Sequence, residues 1–204
     1  MVRAGVAVVA LLGICSVTSA FQATRVEATV QIGSGTASNM GAGVGSVSAS
    51  RTEVLTNKPF QPPFTVTASS LVVVTPNAIH ISASTGGGFP GVLWYYHSAA
   101  GSVSFTLDEP TLASLDYTTS PPRSAAFVLG TSTGAVFEEF TDRLLAPGTY
   151  SLAGTMFGYG SEEHGSVSGT LSFVPEPGMA AMVLIVGIGC RAAAARRDRR
   201  SGSK

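Results

Sequence analysis

Three residues of this chain stand in the order of a hydrolase triad. Gly130, Ser132 and Gly134 give the pattern Gly-x-Ser-x-Gly, and Asp142 and His164 follow. That pattern makes a nucleophile when a sharp strand-to-helix turn lifts the serine out of the backbone. Here Ala135, Val136 and Phe137 come next, and such residues continue as a strand. A Gly/Ser/Thr hairpin turn explains the pattern with less, and no catalytic residue is assigned. The three histidines, His80, His97 and His164, show no His-x-x-x-His spacing of the kind that places two ligands on one helix face. Glu162 and Glu163 beside His164, with Asp108–Glu109 and Glu138–Glu139, offer oxygens. Calcium needs about six to eight of them at one point, and solvated acidic turns are the simpler reading. No metal site and no cofactor are expected. Gly86, Gly87 and Gly88 are followed by neither a lysine nor a helix pattern, which a phosphate loop requires.

Trp94, Tyr95 and Tyr96 are the sharpest binding candidate. On a strand, Trp94 and Tyr96 point to one side and Tyr95 to the other. One side must be core; the other could be an aromatic platform that stacks on a sugar ring. Filling and flanking a sandwich core is the competing explanation, and aromatics do this in most strands.

The elements that must position these residues are strands. The chain has 204 residues, with 24 glycines and 11 prolines, too much punctuation for a helical bundle. Alternating or β-branched runs at 26–32, 64–75, 78–82, 92–96, 103–107, 112–117, 124–129, 135–140, 150–155 and 166–173 predict short strands with turn residues between them. That spacing predicts an all-β, antiparallel sandwich or barrel. The segment 138–145 reads as the one short helix, and the Gly/Ser-rich segment 33–45 as a loop. Charge is balanced at twelve basic and twelve acidic side chains, which excludes nucleic-acid binding by bulk basic charge. Residues 21–174 alone carry five basic and ten acidic side chains, no cysteine, and 40 serines and threonines. This body is mildly acidic, depends on an apolar core rather than disulfides, and offers hydroxyls for hydration or O-glycosylation.

The two ends differ from the body. Arg3 precedes an apolar run from 4 to 14, and the small residues Ser16 to Ala20 follow. A basic start, a short apolar segment and a small-residue exit predict a secretory signal peptide cleaved after Ala20, with Ser19 as the alternative. As a helix the apolar run reaches only about 16 Å, against a bilayer core of about 30 Å. At the other end Pro175, Glu176 and Pro177 precede an uncharged stretch from 179 to 190. Arg191, four alanines and the cluster Arg196, Arg197, Asp198, Arg199 and Arg200 follow. Counted from Gly178 through the alanines, the stretch makes about 27 Å of helix, enough to span if Arg191 snorkels. The arginines place that end in the cytoplasm.

This order of Pro-Glu-Pro, apolar helix and terminal arginine cluster resembles the PEP-CTERM sorting signal. The resemblance covers 175–200 and departs from the pattern at Arg191, at Asp198 and in the extension 201–204. It implies export through the secretion translocon and signal peptidase, and recognition by an exosortase, which removes the tail near Pro175–Pro177. It also implies a Gram-negative host that makes exopolysaccharide. Two prolines without amide donors keep the motif extended and open to a protease. Within the body, 105–112 and 145–152 resemble the jelly-roll-like domains that often precede this signal, with Pro147 and Gly148 making a turn before a strand.

The sequence thus predicts a signal peptide at 1–20, a jelly-roll-like β-sandwich at 21–174, a transmembrane sorting segment at 175–200 and a short tail. The functional expectation is a non-enzymatic surface or extracellular-matrix protein associated with exopolysaccharide or biofilm. It is held at the cytoplasmic membrane until processed. The second reading is a carbohydrate-binding module using Trp94 and Tyr96; a sandwich hydrolase is the third.

Overall fold

The computed structural model describes residues 21–55, 63–87, 96–120, 124–159 and 164–174. The apolar stretches at 4–14 and 179–190 lie outside them. No helix of the described residues is long and apolar enough to cross a membrane.

The described chain is all-β, as its alternation predicts. Two six-stranded antiparallel sheets pack face to face. Sheet A runs β2 (Gly35–Gly41), β1 (Gln22–Ile32), β6 (Tyr96–Leu107), β11 (Gly148–Tyr159), β8 (Ala125–Thr131), β9 (Val136–Phe137). Sheet B runs β10 (Phe140–Leu145), β7 (Thr111–Ser120), β12 (Gly165–Phe173), β5 (Ala78–Gly86), β4 (Phe64–Thr75), β3 (Gly45–Leu55). Period-two burial is cleanest in β6, where every second residue from His97 to Leu107 is buried. Each inward side chain leaves water on one face of its sheet; full burial of a Val, Leu or Ile contributes about 1.5–3 kcal/mol. Ser70 lies among them, and its hydroxyl donates to the Ala100 carbonyl of the opposite sheet at 2.8 Å.

The described chain changes sheets seven times, between β2 and β3, β5 and β6, β6 and β7, β7 and β8, β9 and β10, β10 and β11, and β11 and β12. In the sheets β6 lies beside β11 and β12 beside β5. β1 lies between β2 and β6, and β12 between β5 and β7; the architecture is an antiparallel two-sheet sandwich.

Two segments depart from the sequence reading. The expected loop at 33–45 contains β2 and leads directly into β3, which the sequence reading did not anticipate. A two-residue turn joins β1 to β2, with Gly33 at φ 57° where a side chain would be strained. β2 has low strand propensity, but the edge of β1 supplies a full ladder from Val26–Gly41 to Ile32–Gly35. The expected helix at 138–145 is instead the strand β10, entered from β9 through Glu138 and Glu139. β9 closes the edge of sheet A, and β10 pairs with β7 at the edge of sheet B. A bulge between Phe140 and Arg143 places Asp142 at φ 50°, where its amide donates to the Ser114 hydroxyl at 3.0 Å.

The antiparallel register fixes two poles. Phe21, the start of β1, the end of β12 and the turns after β4, β6, β8 and β10 share one, here the terminal pole. The start of β6, the end of β11 and His164 before β12 share the far pole, ~40 Å away for twelve-residue strands.

Candidate functional site

The hydrolase pattern resolves into a hairpin. Thr131 ends β8, and its amide donates to the Ala135 carbonyl at 2.8 Å, while the Gly134 amide donates back to Thr131 at 3.0 Å. Gly134 sits at φ 86° and β9 follows. Ser132 is therefore in a strand-to-strand turn at the terminal pole. His164 precedes β12 at the far pole, roughly 30 Å away along a nine-residue strand. Asp142 is on the edge of sheet B, bonded to Ser114. Ser132, Asp142 and His164 do not meet.

The acidic pairs are also dispersed. Asp108 and Glu109 lie in the β6–β7 turn at the terminal pole, and Glu138 and Glu139 between β9 and β10. No group of three or more metal-ligating side chains gathers among the described residues. His97 is fully buried on the inner face of β6. His80 stands on the outer face of sheet B, with Nδ1 2.9 Å from the Thr170 hydroxyl.

Of the aromatic platform, Tyr96 opens β6 at the far pole, on the outward side of sheet A with Ser98 and Ala100. It pairs in register with Tyr159, and Phe157 lies opposite Ser98. Trp94 lies outside the described residues. So do Ala20, the motif Pro175, Glu176 and Pro177, and the cluster Arg196, Arg197, Arg199 and Arg200.

Two features emerge that the residue types alone did not show. The first is a hydroxyl lattice on the outer face of sheet B. Register aligns Ser50, Ser69, Ser84, Ser166 and Ser120 in one row across five strands. The next row is Ser48, Leu71, Ser82, Ser168 and Thr118. Neighbours in a row are about 4.8 Å apart, and the Ser69 and Ser84 hydroxyls meet at 2.8 Å. The signal was present as Ser-x-Ser spacings at 46–50, 82–84 and 166–168; which spacings align was not readable.

The second is an aromatic cluster that ties the two ends of the body together. Phe21 lies against Phe173 with ring centroids 4.5 Å apart, and against Phe105 at 5.6 Å. Phe105 stacks on Tyr150 at 5.5 Å. The Tyr150 hydroxyl donates to the Ala146 carbonyl at 2.8 Å, bracing the corner before β11. Burial pushes its pKa up, and the positive charge of Arg143 partly opposes the shift. The Arg143 guanidinium lies over the Phe137 ring at 4.6 Å.

No family model matches the chain, and no curated protein or solved structure matches it.

Proposed function

We propose that the chain is an exported, non-enzymatic surface or extracellular-matrix protein. It is anchored by its Pro175–Glu176–Pro177 segment and the apolar stretch behind it, and released by exosortase processing. The observation that carries this reading is the ordered triplet of Pro-Glu-Pro, apolar stretch and arginine cluster at 175–200, paired with a signal-peptide pattern at 1–20. The boundaries of the fold support it. β1 begins at Gln22, two residues after Ala20, and β12 ends at Phe173, two before Pro175. Removal of either end leaves every described strand whole. The hydroxyl-lined outer face of sheet B, which also carries Asp116, supports a role in a hydrated polysaccharide matrix, because it presents many hydrogen-bonding groups with little charge.

The test is the mass and cell fraction of the mature protein in its native host. The expected product begins at Phe21, ends near Pro177 and lies outside the cytoplasmic membrane. A product that keeps Arg196 to Lys204 within that membrane overturns exosortase release and makes the tail a permanent anchor.

Tyr96 on the outward side of sheet A favours a second reading, a carbohydrate-binding module with Trp94 as its partner. Glycan-array binding that vanishes in Trp94→Ala, with folding intact, selects it. Retention on no polysaccharide removes it.

A further inference from the structure

The hydroxyl lattice of sheet B gives way to apolar residues at the terminal pole. Leu144 of β10 lies opposite Leu112 of β7. On the other side of Leu112 is Val174, whose amide donates to the Leu112 carbonyl at 2.9 Å. Leu144 is 65% exposed and Val174 45%. Val44, in the β2–β3 turn next to Gly43, whose amide donates to the Ala23 carbonyl at 3.1 Å, is 61% exposed at the same pole. Leu144, Leu112 and Val174 form one exposed apolar stretch of this rim, and Val44 stands at the opposite edge of sheet B, beside β3.

Chain length says what lies next to this rim. Only residues 175–178 separate Val174 from the apolar stretch that starts at Met179. Five Cα steps span at most about 17 Å even fully extended. The N-terminal apolar segment joins the body at Phe21, which is packed on Phe173. Both apolar segments therefore leave from one pole.

We propose that the terminal pole is a membrane-apposed surface, with Leu144, Val174 and Val44 resting in the interfacial layer of the phospholipid bilayer while the tail is uncleaved. The proposal rests on the anchored reading above. A tether this short holds the rim at the interface at high effective concentration, so a small apolar area is sufficient. Asp108 and Glu109 share the pole, so the contact does not depend on anionic headgroups. The far pole then stands about 40 Å from the bilayer, with the hydroxyl lattice along the side.

The test uses the full chain with Cys15→Ser and Cys190→Ser, recovered in zwitterionic phospholipid nanodiscs without exosortase. An environment-sensitive fluorophore is attached at Leu144→Cys or, as the far-pole control, at Thr65→Cys. Both sites are exposed, so the fold is not at stake. A spin label on the lipid headgroups is expected to quench the Leu144→Cys probe several-fold more than the Thr65→Cys probe. Equal quenching at both sites, with the tail still resistant to alkaline extraction, overturns the apposition and leaves the anchored reading standing. A chain that extracts as a soluble protein overturns both. A shielded Leu144→Cys probe that lipid spin labels do not quench assigns the rim to a protein partner and overturns the lipid surface.

Discussion

The two halves of the core are packed on opposite plans. At the terminal pole the space between the sheets is filled by large rings: Phe21, Phe105, Tyr150 and Phe173. At the waist it is filled by pairing large residues with none. Gly101 and Gly154 sit side by side in sheet A, and Ile81 of sheet B presses on both. Gly169 of sheet B lies under the Phe127 ring, which stacks on Tyr117 at 5.3 Å. Rings at an end tolerate adjustment, because turns can move; backbone in contact with a ring cannot. The comparison teaches that glycine is not only turn punctuation here. Three of the 24 glycines set how closely the sheets approach.

The largest test removes a ring. Phe105 is fully buried and touches Phe21, Tyr150 and Phe173. Phe105→Ala is expected to cost about 3–5 kcal/mol, read as a lower urea midpoint with an unchanged slope. A loss under about 1 kcal/mol would mean that the end collapses around the gap and is packed no more tightly than a surface cluster.

The next test fills the waist. A Cβ on Gly169 would lie 2.5 Å from Phe127 Cζ and 2.7 Å from Tyr117 Cβ. Alanine restricts the unfolded chain and so contributes about 0.4–1 kcal/mol, but overpacking costs about 1–3 and wins. Gly169→Ala is expected to destabilise, and Phe127→Leu in the same chain to recover part of the loss. Additive losses in the double variant would show that Phe127 is not what Gly169 accommodates.

The smallest test sharpens the aromatic end. Tyr150→Phe keeps the ring and removes the hydrogen bond to Ala146, at a cost of about 0.5–1.5 kcal/mol. It also has a pH signature. Because burial raises the Tyr150 pKa in the folded state, the unfolded chain loses that proton first, from about pH 10. The unfolded state then binds fewer protons, and stability falls as pH rises from there towards the folded value. Denaturation midpoints across that window are expected to fall less steeply in Tyr150→Phe. Parallel slopes would place the Tyr150 hydroxyl in water.

Most strands were legible because their evidence is local. The run 64–75 coincides with β4, since inward Val66, Ala68, Val72 and Val74 alternate with outward Thr65, Thr67 and Ser69, broken only by Ser70 inward and Leu71 and Val73 outward. The segments that misled are edges. β2 and β10 bury little and take their shape from a neighbour's open ladder, and Glu138 and Glu139 carry the chain between sheets rather than opening a helix. β3 went unread for a related reason: it is an edge strand whose inward side carries the bonded pair Arg51 and Glu53. Such inward charges blunt an edge against further pairing and erase its apolar alternation.

By itself, the sequence determined that the body is built of antiparallel strands without disulfides, and that its two ends are chemically unlike it. Side-chain period, cysteine count and charge order are properties of neighbouring residues, and they need no partner to be read. Only the tertiary structure decided that β6 runs beside β11 and β12 beside β5, that serines from five strands fall into one row, and that Phe21 meets Phe173. Each of these joins residues far apart in the chain. Which distant strand an edge accepts depends on the shapes left open by all the others, and on how Ile81 and Phe127 fit over glycine.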